Sequence, residues 1–368
     1  MLRTREMAGT AALTLAMLAV GPRALAAQAL DRLGAIGDSL TDEYDDQDFG
    51  GYARNWLELL AEERGVDLGP TALEDGQPGG TWGEPRRTGY QENWARSSAD
   101  TDTAITQGQH TGCANGAARG VTHAVVFIGN NDFRPGLPPF DNSYVYNALY
   151  NGVWTQQQID AHLDDSLADL GTLLGPLEGA GFRIAITNAI DFGSTPAVET
   201  FFPNAVYRDR VTAVLTEFSD RVRQLAADRN LTFVDLFRFG KAVFGENTAP
   251  RATLLVGNVA IDLNGFSGAS GNNAAFVEDG VHPHTVAQGI VANVWLAALD
   301  QHLGACVPPF TEQQLLAHNG LAYGGSDTLA AQIGPISRFV ESFPAPGVPL
   351  FADGFECGSA VAWQLLVP

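Results

Sequence analysis

Short apolar runs separated by long amphipathic stretches fill most of this chain, and that alternation confines it to one architectural class. Residues 33–36, 124–128, 183–187 and 231–234 read as strands, with a weaker candidate at 92–95. Helical periodicity occupies 52–63, 160–177, 209–228 and 285–303. Strands that alternate with helices need right-handed crossovers, which build a mostly parallel sheet covered on both faces. The pattern therefore predicts an α/β fold, a three-layer α/β/α sandwich around a parallel sheet of about five strands. In such sheets ligands bind beyond the carboxyl ends of the strands. Ser39 follows the first run and Asn130-Asn131-Asp132 follows the run at 124–128, so both belong at that end.

Several classes of function are excluded early. Among 368 residues, 42 acidic side chains outnumber 21 basic ones, and such a body repels phosphate backbones and anionic lipid surfaces. Nucleic acid is not an expected partner. Residues 1–26 read as an export signal: Arg3 and Arg5 are followed by an apolar stretch and then Ala24-Leu25-Ala26, a small-residue cut site. That stretch is shorter than the ~20 residues a spanning helix needs, and no later segment is long and apolar enough. The mature protein is expected to be secreted or periplasmic, without stable membrane insertion.

Cys113, Cys306 and Cys357 have no spacing that suggests zinc. Cys306 could pair with Cys357 and clip the C-terminal tail, or all three could be buried thiols. Residues 247–278, rich in Gly, Asn and Ser, read as a long irregular loop. The chain thus divides into the signal (1–26), a catalytic domain (27–305) and an extension (306–368). One probable helix lies at 312–321. Asp353-Gly354-Phe355-Glu356 near the end is similar to short tails on some secreted bacterial proteins.

The candidate chemistry lies in two distant segments. Ser39, in Gly37-Asp38-Ser39-Leu40, sits on a strand-to-turn junction that exposes its hydroxyl. A resting serine hydroxyl is a poor nucleophile and needs a base. Asp279-Gly280-Val281-His282-Pro283 supplies one: His282 would take the serine proton while Asp279 fixes its tautomer. The three-residue offset lets both side chains converge from one turn. The Ser39 backbone N–H and the Asn131 side-chain amide can donate to an oxyanion, each donor being worth ~3–4 kcal/mol by deletion.

These residues resemble the SGNH/GDSL hydrolase superfamily over about residues 31–303. Gly37-Asp38-Ser39-Leu40 matches its first block, Gly129-Asn130-Asn131-Asp132 its third and Asp279-Gly280-Val281-His282 its fifth. The resemblance implies a flavodoxin-like sandwich and a serine esterase with no cofactor and no metal. Ser39, His282 and Asp279 would be nucleophile, base and orienter, and Ser39, Ser98 and Asn131 the oxyanion donors. The second block departs from the family, because Ser98 stands where the pattern has glycine. Serine keeps the N–H but is disfavoured where the backbone demands a positive φ. Either Ser98 donates from a slightly altered turn, or the hole runs on two donors.

Asp38, Asn130 and Arg134 are further candidates, for substrate contact. Asp42, Glu43, Asp45, Asp46 and Asp48 read as a solvated acidic surface and lack the glycine-hinged spacing of a calcium loop. Tyr146, Tyr150 and Trp154, at steps of four, would share a helix face, either as core or as a rim that stacks on a sugar or aryl group. No long apolar lid is evident, which disfavours a long-chain lipase. Carbohydrate, short-chain and lipid esters stay open as substrates, as do acyl transfer to an alcohol and a non-catalytic binding role.

Overall fold

The computed structural model describes residues 30–136, 141–301 and 303–343, so the export signal and the Asp353–Glu356 motif lie outside the described residues. Four strands, β1 (Arg32–Gly37), β2 (Val121–Phe127), β3 (Arg183–Thr187) and β4 (Thr232–Val234), lie parallel in that order. Gly34 stands opposite Ala124, Ala124 opposite Ile184, and Ile186 opposite Phe233. Leu33, Val125 and Val234 turn to one face, while Ile36, Val126 and Phe233 turn to the other. A one-residue slip would exchange these buried sets, which fixes the register.

Five longer helices are α1 (Trp56–Arg64), α2 (Gln156–Gly179), α3 (Ala205–Asp228), α4 (Leu236–Phe244) and α5 (Thr285–Gln301). Residues of α1, α4 and α5 share the first face's core, where Trp56 stacks on Trp295 at 5.0 Å. Residues of α2 and α3 share the second, giving the expected three layers. Caps set the starts more sharply than apolar periodicity does. Asn55 accepts from the Leu57 and Glu58 N–H groups while Glu58 accepts from the Asn55 N–H, so α1 begins at 56 and not at 52. Thr155 and Gln158 form the same box ahead of α2.

Two stretches differ from expectation. Residues 247–278 are not an irregular loop: β5 (Thr253–Val256), β6 (Val259–Phe266) and β7 (Ala274–Phe276) form a small sheet. The Gly257-Asn258 pair that looked loop-like is the two-residue hairpin turn between β5 and β6, with both φ angles positive (57° and 61°). Leu254, Val256, Ile261 and Leu263 bury one face of this sheet in the first core. The candidate strand at 92–95 is a single parallel bridge, Ala35 to Asn93. There the Asn93 side chain turns away to accept from the Ala95 N–H and to donate to the Thr41 carbonyl.

The fifth strand comes instead from the extension. β8 (Val340–Ser342) adds antiparallel to β4, with Val340 opposite Val234. Phe310, Leu315, Leu329 and Phe339 are buried in the same core as α1 and α5. The Asn293 side chain clamps both the N–H and the carbonyl of Phe310 at 2.7 and 2.8 Å. The boundary expected at 305 therefore falls inside the packed body. The expected helix at 312–321 is shorter, Glu312–Ala317. Cys113 is a free, buried thiol and Cys306 is disulfide-bonded, while Cys357 lies outside the described residues. Among the described residues no helix is long and apolar enough to cross a membrane.

Candidate active site

The site is assembled where β1, β2 and β3 end. A Cβ on Gly37 would stand 2.7 Å from the Thr41 Cβ and 2.9 Å from the Phe127 carbonyl oxygen. Only glycine lets the chain fold straight from β1 into the turn that follows. In that turn the N–H groups of Thr41 and Asp42 donate to the Asp38 carbonyl at 3.0 and 2.8 Å, and Ser39 sits at its crest. The Gln47 side chain donates to the Ser39 carbonyl at 3.0 Å and holds the turn from outside.

Asp38 is fully buried beneath the turn, accepting from the Leu40 N–H at 3.0 Å and the Asn130 amide at 2.8 Å. The Asn130 side-chain Oδ1 in turn accepts from the Ile190 N–H at 3.0 Å. Two side chains thus lock together the loops after β1, β2 and β3. Burial lifts the Asp38 carboxyl to about 6, against the pull of the Leu40 N–H and Asn130. Neither residue is available to a substrate, so the contact role expected of Asp38 and Asn130 gives way to a positioning one. Arg134 is exposed, with its guanidinium 5.6 Å from the Tyr144 ring centre.

The second segment is a tight loop leaving β7. The Val277 N–H donates to the His282 carbonyl at 2.9 Å, the Gly280 N–H donates to Val277, and Phe276 bridges to Pro283. Gly280 has φ +68° with the Ala197 nitrogen against it, a place where a side chain would be strained. One Asp279 oxygen accepts from the Val281 and His282 N–H groups at 2.8 and 3.0 Å. The other lies 2.5 Å from His282 Nδ1, which as the protonated nitrogen donates to it. Burial pushes the Asp279 carboxyl up, but His282 and the two backbone donors outweigh it and hold it below the usual range. His282 Nε2 then accepts from Ser39 Oγ–H at 2.7 Å, across 243 residues of sequence. The Phe49 ring packs 5.3 Å from the imidazole, fixing its plane. His284 is the wrong histidine for this work: it is buried and bonded to Ala269 and Thr285.

Asn131 and Ser98, the other expected oxyanion donors, stand on two loops joined by a hydrogen bond. Asn131 Nδ2 donates to the Ala99 carbonyl at 2.9 Å, which leaves its second hydrogen free and ties the loop after β2 to residues 97–99. Ser98 has φ +69°, the left-handed conformation that glycine adopts freely. Serine here holds, under strain, a backbone conformation that favours glycine.

Asp42 is the site residue that sequence reasoning missed. Far from being solvated, Asp42 and Glu43 are 1% and 4% exposed. An Asp42 oxygen accepts from the Ser97 N–H at 2.7 Å and lies 3.5 Å from the Arg96 guanidinium. It links the Ser39 turn directly to the Ser97-Ser98 loop. Burial raises the Asp42 carboxyl to about 6, with the Ser97 N–H and Arg96 opposing. Carboxylate oxygens of Asp42, Glu43 and Asp46 come within 4.8 Å of one another, but each residue already accepts from a backbone N–H, of Ser97, Tyr90 and Thr88. Only a clue of position, three residues after Ser39, could have marked Asp42. The aromatic stripe resolves as core: Gly152 ends the helix Val145–Asn151 before Trp154, and Tyr146 and Tyr150 both pack edge-on against Phe202.

A parallel sheet that ends in a hydroxyl–imidazole–carboxylate chain is an arrangement able to activate a serine hydroxyl toward an acyl carbon. The sequence model of the GDSL-like lipase/acylhydrolase family matches residues 33–295, and the chain belongs to that family. Among solved structures, a GDSL-like lipase from Bacteroides thetaiotaomicron is 12% identical, with 76% of this chain and 92% of that one covered and a TM-score of 0.39. A variant of an acetyl xylan esterase from Geobacillus stearothermophilus is 16% identical, covering 81% and 98%, with a TM-score of 0.37. No curated protein matches. The family supports ester hydrolysis as the general activity.

Proposed function

We propose that this protein is an exported serine esterase that works through an acyl-enzyme. The observation that carries the reading is the unbroken chain from Ser39 Oγ to His282 Nε2 at 2.7 Å and from His282 Nδ1 to Asp279 at 2.5 Å. Ser39 Oγ attacks the ester carbonyl carbon as its proton passes to His282. The imidazolium that forms is stabilised by Asp279 and then protonates the leaving alcohol. Water, deprotonated by the same imidazole, attacks the acyl-serine and releases the acid. At each stage the negative oxygen meets the N–H groups of Ser39 and Ser98 and the Asn131 amide. No step calls for a metal or an organic cofactor.

The test is labelling of the full chain with a fluorophosphonate, followed by peptide mapping. One adduct on Ser39 is expected, absent from Ser39→Ala, which should also lose ester turnover by ~10⁴-fold or more. Labelled protein recovered from outside the cytoplasm should begin at Ala27. Equal labelling of Ser39→Ala would remove the serine mechanism.

A further inference from the structure

The segment that carries Ser98 runs alongside the end of β1. The N–H groups of Trp94 and Arg96 donate to the Ala35 and Gly37 carbonyls at 2.8 and 3.0 Å. Two residues further along each chain stand Ser98 and Ser39, and among the described residues no group accepts from the N–H of either. The N–H just before Ser98 finds a side chain in place of backbone: Ser97 donates to the buried Asp42 carboxylate at 2.7 Å.

Asp42 is itself firmly held. Its N–H donates to the Asp38 carbonyl at 2.8 Å, and its own carbonyl accepts from the Asn55 and Gln47 amides at 2.8 and 2.9 Å. Asn55 caps α1, so the acceptor offered to Ser97 is tied to a helix as well as to the turn that carries Ser39. What it has to hold is unfavourable. An L-residue in the left-handed region is outweighed by its ordinary conformations by roughly 5- to 30-fold, and Ser98 lies there at φ +69°. Without the anchor, most molecules would turn the Ser98 N–H away.

We propose that Asp42 is a positioning residue for the reaction: through Ser97 it holds Ser98 in the left-handed conformation, so that the Ser98 and Ser39 N–H groups meet the same developing oxyanion. This rests on the serine-esterase reading of the site and adds to it how a strained serine can serve there. Release of the Ser97 N–H lets the loop relax, and kcat falls by the factor that depletes the competent conformation. KM hardly moves, because the donor acts only once charge has developed on the oxygen.

The experiment measures 4-nitrophenyl acetate turnover per fluorophosphonate-titrated site in the full chain, which removes any unfolded fraction from the rate. Asp42→Ala should lower kcat by roughly 5- to 30-fold with KM within about twofold. Asp42→Asn keeps an oxygen that accepts from the Ser97 N–H, so its kcat should stay within about threefold. Glycine adopts the left-handed region freely, so in the Ser98→Gly background the cost of Asp42→Ala should shrink to about threefold or less. That dependence on residue 98 is one that a merely structural role would not produce. If Asp42→Ala melts below the assay temperature, Asp42→Glu takes its place: it keeps the charge, moves the acceptor by a methylene, and should show the same loss and the same dependence. An unchanged kcat per titrated site, or an equal loss in both backgrounds, overturns the positioning role and spares the esterase. No labelling and no turnover in wild type overturns both.

Discussion

Ser98→Gly separates strain from chemistry at the oxyanion loop. Serine at φ +69° pays the penalty of an L-residue in the left-handed region, roughly 1–2 kcal/mol, and its side chain is exposed, so no buried packing offsets it. Glycine removes that penalty and returns about 0.5–1 kcal/mol of it through the greater freedom of its unfolded chain. The net gain is about 0.5–1 kcal/mol, a rise in Tm of roughly 1–3 °C for a body of this size. Catalysis should hardly respond. Glycine takes up a conformation already present, so the N–H keeps its direction, and kcat should stay within about twofold. Ser98→Val is the counterpart: a β-branched residue at positive φ should cost about 1 kcal/mol or more. Calorimetry and steady-state kinetics on the three proteins decide the matter. A lower Tm in Ser98→Gly, or a kcat reduced more than tenfold, would show that the serine side chain itself works at this position and would refute the strain argument.

Asn131→Ala should lower kcat by about 10²–10³ with KM little changed, as expected of a donor used only when the oxyanion forms; a loss confined to KM would reassign it to substrate binding. Three buried carboxyls should each take stability away as pH rises from about 5 to 8. Burial keeps Asp38 and Asp42 protonated to about 6 and Glu58 to about 7, so across that window the folded chain holds protons that the unfolded chain has released. Each such group costs on the order of 2–3 kcal/mol once ionised. Burial holds the imidazoles of His110, His123, His162, His284 and His318 below their usual range, and these oppose the trend as pH rises toward 7, whereas the lowered Asp279 carboxyl matters only below the ordinary carboxylate range. Calorimetry of Glu58→Gln beside wild type should show the difference in Tm moving in the variant's favour between pH 5 and pH 8, and an unchanged difference would mean that this carboxyl is not closed off from water.

What the sequence could and could not disclose follows from how far each signal reaches. Strands β1 to β4 were legible because they are buried on both faces and read as unbroken apolar runs. Ser39, Asp279 and His282 were legible because each sits in a short turn whose glycine, aspartate or proline is dictated locally. The small sheet was hidden: it is half exposed, and its turns are rich in the same Gly and Asn that mark a loop. β8 was hidden for another reason, since three residues carry no period, and their place is set by the free edge of β4 and by buried Phe339.

Asp42 and Ser98 show the hardest limit. Five acidic residues in a row of seven favour a solvated surface on composition alone, and nothing local tells that Asp42 turns inward to meet the Ser97 N–H. Yet that one bond binds the Ser39 turn to the loop on which Ser98 is strained. A serine at φ +69° is tolerable only where its neighbours hold it, and Ser97 and Ala99 are both held, by Asp42 on one side and Asn131 on the other. The strained serine and the buried carboxylate are therefore one structural arrangement. Two side chains from other loops define the backbone on either side of Ser98 and keep it in the left-handed region.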